Sequence, residues 1–223
     1  MKTLIKYNLF LVSLIFCFTP TQEIKSQDFG ADVASSYVWR GTEYGTGLAV
    51  QPWMELGSGN LTGGVWGSFN QAEGEYDGNE LDLWVSYDFG PLALTVTNYT
   101  FPGAGGAGDI FDGDNGDIEV SGSTSLGPVD LTVGYFTDHG ALYVEAGFPI
   151  GPVGVAVGYA SDGDVGFYAG GDSGIVNVSF SGEKDIKITE DYSLPVFGSF
   201  IINHVAEGPI NFKAAFLVFG FSL

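Results

Sequence analysis

The side chains of this sequence best equipped for chemistry are its carboxylates. Asp and Glu number 27 against 7 Lys and Arg, a formal net charge of −20. Asp32, Glu55, Asp82, Asp88, Glu119, Asp130 and Glu145 fall on the small or polar side of alternating runs, and Arg40 is the base read on that side. An unpaired carboxylate in a dry interior costs several kcal/mol. The acids therefore meet water and mobile cations, or bind metal, or belong to the other phase of the alternation; we adopt hydration. Arg40 is expected to pair with one of these acids, such as Asp82, with a role at a constriction as the alternative. Trp53, Trp66 and Trp84 share the acidic side on neighbouring runs, where they fill or narrow the interior or offer a nonpolar solute an aromatic face.

Other chemistries find less support. The run Asp109-Ile110-Phe111-Asp112-Gly113-Asp114-Asn115-Gly116-Asp117 has carboxylates suited to a hard cation. Its glycine and distal acid miss the EF-hand register, so Asp109, Asp112, Asp114 and Asp117 are weak calcium candidates and a solvated acidic loop is the reading taken. His139 and His204 are the candidate general bases. Asp138 is only a sequence neighbour of His139, and no nucleophile, base and orienter come together in the sequence. The chain is expected not to be an enzyme, and no cofactor is expected because phosphate-loop, dinucleotide and zinc patterns are absent. The acidity excludes a nucleic-acid partner, which needs a basic footprint.

These residues need elements to position them. Residues 1–26 read as a removable export signal: Lys2 and Lys6 precede the apolar run Leu9–Phe18, too short to span a bilayer, with cleavage expected near Ser26 or Gln27. Phe16 before Cys17 fits a lipid-attachment site poorly. Removal of the signal takes the one cysteine, so no disulfide staples the mature chain, residues 27–223. No later stretch is long and apolar enough for a membrane helix, so any insertion is by strands.

With 35 glycines and 15% aromatic residues, the composition suits an all-β chain rich in turns. Gly-Pro recurs at Gly90-Pro91, Gly127-Pro128 and Gly151-Pro152. A fourth turn is read at Gly57–Asn60 and a looser one near Glu183–Asp191. The intervals between them predict twelve strands: 28–40, 47–57, 60–70, 80–89, 92–101, 117–126, 129–138, 141–149, 153–161, 173–182, 192–203 and 210–223. Ten or fourteen are allowed by the segment 182–203. Pro52 and Pro195 imply bulges or local breaks.

Strict alternation is the signature of a sheet between two solvents. Leu81, Leu83, Val85 and Tyr87 alternate with Asp82, Trp84, Ser86 and Asp88, and Val129, Leu131, Val133 and Tyr135 with Asp130, Thr132, Gly134 and Phe136. A soluble β-sandwich alternates in the same way but is usually filled by seven to nine strands. Twelve runs of about ten residues, with short turns at one end and the long acidic stretches Gln71–Asn79, Pro102–Gly116 and Asp162–Asp172 at the other, predict an antiparallel up-and-down transmembrane barrel. Aromatics at strand ends, among them Tyr37, Trp39, Phe69, Tyr87, Phe89, Tyr99, Phe101, Phe148 and Tyr159, are read as interfacial girdles. Leu217, Phe219, Phe221 and Leu223 alternate to the last residue, in the manner of a terminal strand recognised by the outer-membrane assembly machinery.

Asp32–Gly41, followed by Val50-Gln51-Pro52, resembles the opening of the TorF-type porins of Gram-negative bacteria. Asn98–Gly103 and Glu80–Leu83 resemble further segments of that family. The resemblance implies an outer-membrane barrel in contact with lipid. With the acidic interior, the expected function is passive diffusion of small hydrophilic solutes, with cations preferred. The alternative is a closed barrel acting as an adhesin, receptor or structural protein through its acidic exterior loops.

Overall fold

A computed structural model describes residues 26–45, 47–70, 79–102, 116–161, 173–204 and 214–223. Residues 1–25, with the expected export signal, lie outside the described residues. So do Asp109, Asp112, Asp114 and nearly all of the three long acidic stretches.

The chain forms β1 (Ser26–Ala34), β2 (Val38–Trp39), β3 (Thr42–Glu43), β4 (Ala49–Ser58), β5 (Leu61–Asn70), β6 (Glu80–Asp88), β7 (Ala93–Thr100), β8 (Gly116–Leu126), β9 (Val129–Phe136), β10 (Leu142–Ile150), β11 (Val153–Ser161), β12 (Gly174–Lys187), β13 (Ser193–Asn203) and β14 (Ala214–Ser222). Among the described residues, β1 and β4 to β14 make a closed antiparallel barrel of twelve strands, and β2 and β3 form a separate small hairpin. The seam pairs Asp32 with Ser222 and Ala34 with Gly220. Exchanged backbone hydrogen bonds between Ala31 and Leu223, of 3.2 and 2.9 Å, extend it to the last residue.

Alternation decides which way each residue faces. Phe29, Leu217 and Phe219 stand 78%, 69% and 61% exposed on the outside, while Ala49, Ser68 and Phe136 are fully buried inside. An outer belt of exposed Leu, Val, Phe and Tyr around a closed cylinder is the arrangement of an outer-membrane barrel, where lipid solvates the apolar side and no strand edge is left open.

Short turns close one end. Gly59-Asn60, Gly127-Pro128 and Gly151-Pro152 are two-residue links, and Phe89 N–H donates to the Leu92 carbonyl at 2.9 Å across the Gly90-Pro91 turn. The looser turn lies at 188–192 rather than 183–191, because β12 continues to Lys187. Beyond Ser181, the last β12 residue paired to β11, β12 runs on paired with β13 alone, and the pair projects from this end as a hairpin.

Neither proline shifts a register. Pro52 pairs with Ala31, and the β4–β5 pairing resumes in the same register at Trp53, while Pro195 sits opposite Asp185 without a shift. Both are tolerated because the neighbouring pairs hold the alignment. The β4–β5 ladder does break locally at Gln51 and Pro52, as the proline implied, whereas Pro195 interrupts nothing; a β-bulge between β11 and β12 lies at Gly158/Tyr159. The expected first strand, 28–40, is also corrected: β1 ends at Ala34, Ser35 still bonds to Phe219 of β14, and the chain then leaves the wall.

Inside the barrel, large side chains lie over glycines of adjacent strands. Trp53 packs on Gly30 and Trp84 on Gly64. A Cβ at Gly64 would come within 2.5 Å of the Met54 carbonyl oxygen and 2.8 Å of the Trp84 ring, whereas one at Gly147 would meet nothing nearer than 3.9 Å. Gly64→Ala is expected to destabilise the barrel by about 1–3 kcal/mol, and Gly147→Ala to leave it nearly unchanged. Urea-dependent folding into lipid vesicles measures both.

Candidate functional site

After Ala34 the chain turns inward through Ser35 and Ser36, and β2 and β3 fold as a hairpin inside the barrel. The two-residue turn between paired Trp39 and Thr42 consists of Arg40 and Gly41, with φ of 48° and 80°. Both angles lie in the left-handed region that a tight I′ hairpin demands. Gly41 also lies directly against the backbone of Val176, where a side chain would have no room.

The hairpin touches much of the wall. Tyr37 is buried with its ring 5.2 Å from Trp66 of β5 and 5.5 Å from Tyr44. Trp39 lies 5.5 Å from Tyr99 of β7 and 6.4 Å, edge-on, from Phe136 of β9. Asn203 of β13 donates to the Gly41 carbonyl at 3.0 Å. Apart from Trp66, midway along β5, these wall residues sit near their strands' ends opposite the short turns, so the hairpin lies mainly in that half of the lumen.

At the tip, the Arg40 guanidinium pairs with the Glu119 carboxylate of β8, with Nη2 3.1 Å from Oε1. It is stacked 4.2 Å from the Trp39 ring and 4.3 Å from the Tyr143 ring of β10. Glu119 is 2% exposed. Two hydrogen bonds and two aromatic faces thus replace the water lost by both charges. The expected partner Asp82 is not the one found, because Arg40 is carried off the wall and across the lumen.

Asp82 is buried beside Glu80, and the two carboxyl groups are hydrogen-bonded to each other. Asp82 Oδ1 has no hydrogen-bond partner among the described residues. The Tyr37 hydroxyl is hydrogen-bonded to Glu80. On β10, Glu145 accepts from the Tyr143 hydroxyl and from Asn177 of β12 at 2.8 Å.

Glu55, Asp88 and Asp130 lie toward the short-turn end, and Asp32, Asp117 and Asp138 toward the hairpin end. Glu55 is half-buried on the lumen face of β4. Exposed Asp88 accepts from the Gly90 N–H at 2.6 Å, and Asp130 from Ser125 at 2.6 Å. Asp32 faces the lumen from β1 and lines a cavity of about 290 Å³ with Trp66. Asp117 pairs with His139 at 2.5 Å, and its neighbour Thr137 donates to the Ile118 carbonyl at 3.2 Å. Asp138 receives the Ile118 N–H instead.

One sequence expectation changes here, and three further residues join the site. Tyr37, Trp39 and Tyr99 are not girdle residues: all three point into the lumen, where the hairpin and the wall bury them together. Glu80 belongs with the lumenal acids, as its spacing of two from Asp82 already implied. Asn177 and Asn203 carried no signal in sequence, since each matters only through a group brought to it by the fold.

No family model matches the chain, and no curated protein does. A similar solved structure is outer membrane phospholipase A from Escherichia coli, with a TM-score of 0.37 and 11% identity over 92% of this chain and 91% of that one. That protein is an enzyme, and the expectation that this chain is not one is withdrawn on that finding. A likeness of this size carries no activity across.

Removing Arg40 leaves Glu119 buried without its cation. Arg40→Ala is therefore expected to cost about 3 kcal/mol, and the double variant Arg40→Met with Glu119→Met to recover most of that loss. Urea midpoints of the folded barrel in detergent distinguish the two.

Proposed function

We propose that the chain is exported to a bacterial outer membrane and forms there a narrow diffusion passage for small hydrophilic solutes, with cations preferred. The observation that carries this reading is the imbalance of charge on the lumen face. Asp32, Glu55, Asp88 and Asp130 have no basic partner among the described residues, while Arg40 is neutralised by Glu119. Low-dielectric walls focus the field of such carboxylates along the axis, which raises the local concentration of cations and lowers that of anions.

The hairpin between β1 and β4 sets the bore. It takes up part of the lumen at the end opposite the short turns, so the passage runs beside it and is narrower than a bare twelve-stranded cylinder allows. The resemblance of Asp32–Gly41 to TorF-type porins agrees with a channel role, and that same stretch supplies the constriction.

A second reading is a closed barrel working as an adhesin, receptor or structural protein through its exterior loops. The specific observation in its favour is the spread of the hairpin's contacts, from Trp66 on one side of the lumen to Asn203 on another.

Planar-bilayer recording under a potassium chloride gradient separates the two. The channel reading expects stepwise currents with a reversal potential of the cation-selective sign. Glu55→Gln should reduce that selectivity, and Arg40→Ala, which unlatches the hairpin, should raise unit conductance. Silence from both the native chain and Arg40→Ala would favour the closed barrel.

A further inference from the structure

The cavity beside the inserted hairpin is built differently from the rest of the lumen. It measures about 290 Å³ and is bounded by β1, β4, β5, β13 and β14 and by the hairpin's own Ser36, Tyr37 and Val38. Its volume equals about ten waters' share of liquid, enough for a small organic molecule. One wall is aromatic, from Tyr37 and Trp66, with Phe197 contributed by β13. Asp32 supplies a carboxylate with no basic partner among the described residues. Gln51 spends an amide N–H on Ser68 at 3.4 Å, which leaves its carbonyl oxygen as an acceptor. No lining residue is basic.

We propose that this cavity is a binding site for a small organic ammonium ion, held by Asp32 and by the faces of Tyr37, Trp66 and Phe197. An ammonium group carries the opposite charge to Asp32 and is attracted by aromatic faces. A neutral solute of the same shape gains only the apolar contact, and an anion is repelled by the carboxylate. The paired Arg40 lies at the hairpin tip, where Glu119 occupies it, so it does not compete for Asp32. Tyr37 and Val38 belong to the hairpin, so an occupant seats against the same element that narrows the lumen. The proposal deepens the channel reading by naming a solute class, but the binding it asserts is measured without any flux.

The test is calorimetric titration of the detergent-solubilised full-length chain with choline chloride and, separately, with its neutral isostere 3,3-dimethyl-1-butanol. Choline is expected to bind saturably and the alcohol not to bind. Asp32→Asn should weaken choline by at least about tenfold. Ser199→Lys, which places a competing ammonium on the β13 lining, should abolish binding. Heat-shifted gel mobility confirms that each variant is folded, and the two variants fall on different strands, so one misfolded barrel does not end the test. Absence of saturable choline binding, equal binding of the alcohol, or undiminished binding by a folded Asp32→Asn would overturn the proposal. Choline binding by a barrel silent in bilayers keeps the site and removes the channel. Cation-selective conductance with no choline binding keeps the channel and removes the site.

Discussion

Everything in this structure depends on one constraint: a chain surrounded by hydrocarbon must satisfy its own backbone hydrogen bonds. A sheet meets that demand only by closing, and here closure falls on the β1–β14 seam, where Ala34 pairs with Gly220 and Leu223 with Ala31. The last residue is thus part of the wall. Closure also fixes the two-faced alternation, since a slip of one residue would exchange Leu81 and Leu83 for Glu80 and Asp82 on the lipid side.

The inner face then carries the electrostatic consequence. An acidic chain that places its carboxylates inward must either hydrate them or supply donors. The molecule does both in different places. Near the short turns Asp88 and Asp130 are exposed and bonded to local donors. At the opposite end, where the hairpin enters the lumen, Glu119 has Arg40 and Glu145 has Tyr143 and Asn177. The one inconsistency among the described residues is Asp82 Oδ1, buried without a partner there; nothing in the structure explains it.

The wall was legible because its determinants are local. Gly-Pro turns mark hairpins wherever they occur, and period-two alternation assigns faces without knowledge of the partner strand. The hairpin was not legible, for an equally physical reason. Tyr37, Val38 and Trp39 continue the alternation of β1, so nothing in residue type distinguishes a strand that runs on from one that turns into the lumen. The distinguishing terms are long-range: Trp66, Tyr99, Phe136 and Glu119 are each contributed by a different strand. The sequence did mark Arg40-Gly41 as a basic residue followed by a glycine, but that pair becomes a tight turn only because a cavity lined with aromatics and acids receives it. Similarly, β12 outruns its expected end because its residues 182–187 pair with β13 alone, a register that alternation does not encode.

The central claim is that lipid solvates one side of each strand and the lumen the other. A nitroxide scan of Val120–Leu126 on β8, in bilayers, with oxygen and a water-soluble nickel chelate as relaxation probes, tests it most directly. The account predicts a period of two, with oxygen accessibility peaking at 120, 122, 124 and 126 and collisions with the chelate favoured at 121, 123 and 125. A flat profile, or oxygen maxima at the serines, would contradict it.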